Sequence, residues 1–327
     1  MKRRAFLALA AAAAVSTACG TASGSGRGTK TLRYQGSAGA VTLPELAADL
    51  GYLGDVTLDW VGNTISGPQD IQSAATGQTD FGGAFNGAVV KLAAAGAPIK
   101  AVIGYYGSDQ YAYNGFYVKE NSPIRSAADL AGKKVGMNTL GAHSEAMLDI
   151  YLQRAGADPK KAEPLVVPPI NTEQSLRQGQ IDVAVLGGIL RDKALQTGGI
   201  RKLFTDFELL GPFTAGAYVF TDKFLKQNPD TARAFVTGVG KAIEWSRSTP
   251  SAQVVDRMTQ IVRKRRRNED TSALKYWKSW GVAEKGGRVS EHELSMWVDW
   301  LAGRGELANR KVDITSLYTN EFNGVGP

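Results

Sequence analysis

The sequence predicts an α/β protein of two similar lobes, each a mainly parallel sheet flanked by helices. Three observations predict it. From Thr31 onward, short apolar strands alternate with amphipathic helical patterns, the signature of α/β units. The same order of elements restarts after Gly115. A short pattern also recurs: Gly77-Gln78-Thr79-Asp80-Phe81 and, about a hundred residues later, Gly179-Gln180-Ile181-Asp182-Val183 each close a helix and open a strand. In both, Gly suits a helix C-terminus and the polar pair suits a tight turn into a buried strand.

Taken in order, "TLRYQG" reads as a strand and "TLPELAADLGYL" as a helix, with Thr42 and Glu45 at capping-box spacing. "VTLDWVG" is the next strand, followed by the helix "GPQDIQSAATG", where Pro68 suits the first turn. "TDFGGA", the helix "NGAVVKLAAAGAP" and the strand "IKAVIGYYG" complete the first cycle. The second begins with the strand "FYVK" and a turn capped by Ser126 with Asp129 three residues on. The strand Val135-Gly136-Met137, a helix opening near His143, the strand "EPLVVPP", the helix "TEQSLRQG" and the strand "IDVAVLGG" follow. The last third is mostly helical. "DTARAFVTGVGKAIEWSRS", "SAQVVDRMTQIVRKRRR" and "SEHELSMWVDWLAG" carry apolar residues at helical spacing, the last with Ser290 and Glu293 at capping-box positions. The predicted lobes are 31–114 with 215–327, and 115–214.

The chain of 327 residues is long enough for two domains, and its 43% hydrophobic content supports a sizeable core. The formal charge of +7 is local: Lys2, Arg3 and Arg4, with the run Arg263–Arg267, account for all of it and leave −1 on the rest. That distribution argues against a nucleic-acid-binding surface. The run ends a predicted helix, where cations complement exposed carbonyls, and reads as a solvated helix end. Residues 1–19, "MKRRAFLALAAAAAVSTAC", have a basic start, an apolar run and a small-residue region before Cys19. This is an export signal, with a start like the twin-arginine type, ending on the chain's single cysteine as a lipoprotein signal does. Cys19 is therefore the expected lipidation site, although Ser16 stands where a lipobox usually has Leu. Residues 20–30, rich in Gly, Ser and Thr, read as a flexible tether. An acylated Cys19 leaves no thiol for a disulfide, so stability rests on core burial.

In open α/β sheets ligands gather at the carboxyl ends of strands, where helix N-termini point free N–H groups outward. Those junctions are small and polar here: Gly36-Ser37-Ala38, Thr64 to Gly67, Phe85-Asn86-Gly87, Thr139 to Ser144, and Leu186-Gly187-Gly188. Small residues let a ligand approach the backbone, and several converging helix starts could hold a small anion without Lys or Arg. The same residue types also cap helices with no ligand involved. "GYYGSDQYAYNGF" places Tyr105, Tyr106, Tyr111, Tyr113 and Phe116 near the predicted crossing between lobes, as cleft lining or as hinge packing. Motifs for catalysis are missing. The sequence has no P-loop, GxGxxG or GxSxG and no Cys or His pair at metal spacing. Of the two histidines, His292 lies in the first turn of a helix. His143 sits in a candidate junction without an evident acid–base partner, so ligand contact or capping is the expected role.

"DFGGAFNGAVVKLAAAGAPIKAV", "ENSPIRSAADLAGKKVGMNTLGAHSEAML" and "QSLRQGQIDVAVLGG" resemble the substrate-binding proteins of ABC importers, in the nitrate/sulfonate/taurine group that also holds binders of pyrimidine precursors. The resemblance covers nearly all of the chain after the tether. It implies a type II periplasmic-binding-protein fold, two crossover segments, and closure of the lobes on a ligand. Carried onto this sequence, it places Ser37, Ser66, Asn86, Thr139, Gly141 and His143 at the site. With the junction and aromatic readings, the candidate set adds Gly67, Phe85, Tyr106, Ser144, Gly187 and Thr214. The expected protein is an exported solute-binding lipoprotein that captures a small organic anion, sulfonate- or taurine-like, and delivers it to an ABC permease. It would be a monomer held to the membrane through Cys19, without cofactor, metal or nucleic acid. The alternatives are a binder of a pyrimidine-type or other aromatic solute, and an enzyme of the same fold acting on pyrimidine precursors.

Overall fold

A computed structural model describes residues 28–308 and 310–326. The predicted signal, Cys19 and most of the predicted tether lie outside the described residues. The first cycle comprises β1 (Thr31–Gly36), α1 (Leu43–Asp49), β2 (Thr57–Asn63), α2 (Gly67–Ala75), β3 (Gly82–Phe85), α3 (Asn86–Ala94) and β4 (Ile99–Ser108). The chain then crosses into β5 (Asn114–Lys119), β6 (Lys134–Met137), α4 (His143–Arg154), β7 (Glu163–Val166), α5 (Pro169–Gln178), β8 (Val183–Gly187), α6 (Gly188–Thr197) and β9 (Ile200–Thr205). It returns through α7 (Asp206–Leu210) to β10 (Phe213–Thr221), followed by α8 (Asp222–Gln227), α9 (Pro229–Ser248), α10 (Ser251–Lys264) and α11 (His292–Gly303).

The two-lobe α/β architecture is the one the sequence predicts, but the strand directions are mixed rather than mainly parallel. β1 and β2 pair in parallel, whereas β10 runs antiparallel between β3 and β4. A separate five-stranded sheet has the order β7-β6-β8-β5-β9, parallel across its first three strands and antiparallel where β5 meets β8 and β9. The reason is topological. β5 and β10 are the strands that enter each sheet from a crossover, so neither arrives by a βαβ turn that would make it parallel. The chain passes between the sheets from Ser108 to Asn114 and from Thr205 to Phe213.

The five-residue echo corresponds to one local device built twice. Gly77 and Gly179 both adopt a φ of +77° just past a helix. Asp80 then accepts the Arg33 N–H at 2.7 Å and gives its own N–H to the Arg33 carbonyl. Asp182 does the same with Lys134, its Oδ2 accepting that N–H at 2.9 Å. In each lobe an aspartate thus fastens the neighbouring strand where the helix ends. The predicted boxes also form: Thr42 with Glu45, Ser126 with Asp129, and Ser290 with Glu293.

Arg263, Lys264, Arg266 and Arg267 are exposed at the helix end, as expected, and Arg265 alone turns inward. α10 stops at Lys264, and Arg266 and Asn268 turn into positive φ. Arg265 folds back, its guanidinium 2.8 Å from Glu45 and 2.9 Å from Glu269, with side chains 9%, 8% and 5% exposed. It also donates to the Ala40 carbonyl at 2.8 Å, while the Gly39 N–H donates to Glu269 at 2.6 Å. Arg267 lies over the Trp60 ring at 3.7 Å. Glu45 is buried by its place in the capping box, and a buried carboxylate needs such a partner.

The largest apolar cluster spans both lobes, joining Val89 and Ala101 of the first to Val135 and Met147 of the second, with Phe116, Phe213 and Trp297 between them. A second cluster lies between β1, α1 and α9, around Leu32, Leu46 and Phe235.

Candidate functional site

A cavity of about 420 Å³ lies between the lobes. From the first lobe come Gly67 and Pro68 at the start of α2, Phe85 at the end of β3, and Tyr105 and Tyr106 on β4. The second lobe supplies Asn114 on β5, Asn138 and Thr139 after β6, and Ala142, His143 and Ser144 where α4 begins. Pro169 and Thr172 on α5, Val185 to Gly187 on β8, and Leu190 on α6 complete it. Among the described residues that line it, none is Lys or Arg.

Helix starts shape this space. α2, α4 and α6 all open here, and in none does a side chain cap the first turn: the residues at the cap are Ser66, Ala142 and Gly187. α1, α7 and α8 are closed by Thr42, Thr205 and Thr221, whereas α3, α5, α9 and α10 also start without a side-chain cap. The first-turn N–H groups of a helix have no intrahelical acceptor, and they carry partial positive charge. At the cavity no side chain takes up those donors among the described residues.

Behind the cavity stands a polar knot. Asp206, wholly buried at the start of α7, accepts from Ser108 Oγ at 2.8 Å, from the Asn114 N–H at 3.1 Å and from Asn114 Nδ2 at 3.3 Å. His143 Nε2 lies 2.9 Å from its Oδ2. The imidazole is stacked on Phe213 at 5.8 Å and meets the edge of Phe85 at 5.6 Å. Both crossovers therefore meet at Asp206, and His143 joins them to the cavity wall. Burial, and after it the nearby Asp206 charge, push the Tyr106 hydroxyl up, so it stays protonated and able to donate. Burial does the same to Tyr105. Two glycines make this packing possible. A Cβ on Gly216 would lie 2.1 Å from the Tyr106 ring and 2.6 Å from the Ala84 carbonyl, and one on Gly187 would lie 2.0 Å from Asn114 Oδ1.

Of the predicted site residues, the structure brings Gly67, Phe85, Tyr106, Thr139, His143, Ser144 and Gly187 to the cavity. Five stand elsewhere. Ser37 is exposed, on the loop that Arg265 and Glu269 hold. Ser66 precedes α2 and donates to Gln69 at 3.3 Å. Gly141 gives its N–H to Glu145 at 2.5 Å. Asn86 and Thr214 are tied together inside the fold. Asn86 Nδ2 donates to the carbonyls of Thr214 and Glu293, the Thr214 N–H donates to Glu293 at 2.8 Å, and Thr214 Oγ1 accepts from Ala283. These bonds join α3, β10 and α11, and Asn86 Oδ1 is buried without a partner among the described residues. The sequence reading did not single out Asn114, Thr172 or Asp206 as site residues. Asp206 follows Thr205 as an ordinary capped helix start, and nothing local marks it as a partner for His143.

Fold and cavity together define the class: a two-lobe α/β protein of the type II periplasmic-binding-protein fold, with its cleft at the strand ends. The chain belongs to the NMT1/THI5-like family, whose model matches residues 45–253. A relative in Escherichia coli (strain K12), named as a candidate aliphatic sulfonates-binding protein, is 29% identical over 162 residues. That stretch is 48% of this chain and spans about half, 49%, of the relative's length. The crystal structure of the periplasmic aliphatic sulphonate binding protein SsuA from Escherichia coli matches with a TM-score of 0.69 at 20% identity, over 91% of this chain and 95% of that one. The alkanesulfonate-binding protein SsuA from Xanthomonas axonopodis pv. citri, bound to MOPS, matches with a TM-score of 0.68 at 19% identity, over 90% of this chain and 99% of that one. Identities this low carry the fold and not the ligand.

Proposed function

We propose that this chain is an exported solute-binding protein that captures a small organic anion, sulfonate-like in class, in the cleft and delivers it to an ABC importer. One observation carries the reading: three uncapped helix starts open on a cavity that has no Lys or Arg among its described lining residues. Such a site suits a single negative charge spread over several oxygens, each reached by a backbone N–H or a hydroxyl. A multiply charged phosphate or dicarboxylate would meet too little positive charge. The volume of about 420 Å³ lies within the range of small-molecule pockets, roughly 300–1,000 Å³, and exceeds what bare nitrate needs. Tyr105, Tyr106 and Phe85 offer ring surface for an apolar portion of the solute. The names of the sulfonate-binding relatives support the same class.

On this reading the protein acts by binding, not by catalysis, as its named relatives do. It works as a monomer outside the cytoplasmic membrane, tethered through Cys19. The two lobes close on the anion as rigid bodies, because the ligand touches both only in the closed form.

The test is a thermal-shift screen of alkanesulfonates, arylsulfonates, taurine, nitrate and pyrimidines. A ligand at 100 times its dissociation constant adds about 2.7 kcal/mol. Hits confined to sulfonates support the reading, and hits confined to neutral pyrimidines overturn it. Thr139→Asp, which adds a negative charge at the cavity wall, is expected to weaken binding of the best sulfonate at least about tenfold, equivalent to about 1.4 kcal/mol. Unchanged affinity, measured by titration calorimetry, would count against the site.

A further inference from the structure

The cavity contains one side chain able to carry positive charge, and its hydrogen bonding is incomplete. His143 is 6% exposed; its Nε2 is engaged by Asp206, while its Nδ1 is buried with no partner among the described residues. The other contacts of Asp206 come from Ser108 Oγ and from the N–H groups of Asn114, so the carboxylate acts as acceptor. The proton between Asp206 and His143 therefore belongs to Nε2. That leaves two states. With one proton, the ring offers a bare acceptor at Nδ1, and the pair carries a net negative charge behind the cleft. With two, Nδ1 becomes a donor and the pair is neutral.

Among the described residues no cation contacts the imidazole, and Arg191 of α6 is bound to the Tyr111 and Tyr113 carbonyls and to Asp192. From β4, Tyr106 faces the imidazole at 6.3 Å as a neutral phenol. β3 and β10 present Phe85 and Phe213. On α4 itself, Glu145 is bound to the Gly141 N–H and to Arg304. From α11, Glu293 is held by the Thr214 N–H. Arg304 is the nearest cation these contacts reveal, and it is committed to Glu145, Asp149 and Glu306.

We infer that anion capture is coupled to proton uptake: as the anion enters, His143 takes a second proton from solvent on Nδ1 and donates it as a hydrogen bond. The imidazole held by Asp206 is then the residue that sets preference for an anion over a neutral solute. A neutral ligand with an N–H or O–H would favour the singly protonated ring. This inference rests on the anion reading above.

The test uses benzenesulfonate and butanesulfonate, whose own charge is constant across the neutral range. Titration calorimetry in two amine buffers of different ionisation enthalpy counts the protons exchanged. The expected result is about one proton taken up per anion on the alkaline side of imidazole titration, with affinity falling there by up to about tenfold per pH unit. His143→Gln and Asp206→Asn should each abolish the uptake; a far-ultraviolet spectrum and melting curve confirm that each variant is folded. The wild-type result is decisive even if a variant fails to fold. Sulfonate binding with no proton uptake and a flat pH profile overturns the coupling alone. Proton release overturns it too. Failure of either sulfonate to bind at any pH between about 5.5 and 8.5 overturns the anion reading and this inference together.

Discussion

Asp70 shows how one buried carboxyl sets a pH response. It lies in the first turn of α2, with Oδ2 accepting the Gly83 N–H at 2.7 Å and Oδ1 buried without a partner among the described residues. Burial pushes the carboxyl up to about 6, and the Gly83 bond opposes that only in part. An unfolded aspartate titrates near ~3.9, so the native state holds its proton more tightly. The contribution of Asp70 is therefore full below about pH 4 and is lost as the pH rises through 6. The loss is on the order of 2–3 kcal/mol at most. Asp70→Asn is expected to reduce the fall in unfolding free energy between about pH 4.5 and 7.5 by ~1–3 kcal/mol, measured by urea denaturation at both pH values. An unaltered slope would mean that the carboxyl is hydrated. At this scale the sequence was a partial guide. His143, Thr139 and Tyr106 were legible because they sit where a strand hands over to a helix or crossover. Asn86 and Thr214 have the same residue character, yet their hydrogen bonds go to Glu293, to Ala283 and to each other. Small polar residues serve ligands and backbones alike, and the choice is made by partners far away in sequence.

At the scale of elements, periodicity and caps were readable because they are local. The five-residue echo went further and marked the same strand clamp in both lobes, through Asp80 and Asp182. β10 was not read as a strand. Its run "FTAGAYVFT" is buried from Phe213 to Phe220 without alternation, and its partners β3 and β4 lie far back in the chain. At the end of α10 one residue escaped the reading for a related reason, while Arg263, Lys264, Arg266 and Arg267 are exposed as expected. Five consecutive cations suggest solvent, but Arg265 is claimed by Glu45, Glu269 and the Ala40 carbonyl. Removing one member of a buried ionic cluster leaves the carboxylates uncompensated. Arg265→Ala is thus expected to destabilise the protein by about 3 kcal/mol and to loosen the loop after β1. Arg263→Ala, at an exposed position of the same run, should stay within about 0.5 kcal/mol. Urea denaturation of the two variants checks the contrast, and equal effects would show that the run acts only as summed charge.

For the molecule as a whole, the question is what holds the lobes in their relative position. The two crossovers are not the only links. On α11, Trp300 Nε1 donates to Asp149 at 3.0 Å, and Arg304 reaches both Asp149 at 2.8 Å and Glu145 at 2.9 Å. Both carboxylates belong to α4, whose first turn contributes to the cavity, while α11 packs against α3 of the first lobe. Tyr276 adds a contact from the same side, donating to Gln196 of α6 at 2.5 Å. The ion pairs are partly exposed, Arg304 at 29%, so solvent screens them, and their joint worth is about 1–2 kcal/mol. That is small beside total stability but large beside a conformational equilibrium, where 1.4 kcal/mol changes a population ratio about tenfold. Arg304→Ala should therefore leave the protein folded while broadening the spread of lobe positions in the absence of ligand. Small-angle scattering is expected to report a larger radius of gyration for the free variant than for the free wild type, and the two should converge once ligand closes the cleft. If free variant and free wild type scatter alike, the apolar cluster shared by Val89, Val135, Met147 and Trp297 holds the lobes by itself, and the α4–α11 ion pairs add only local stability.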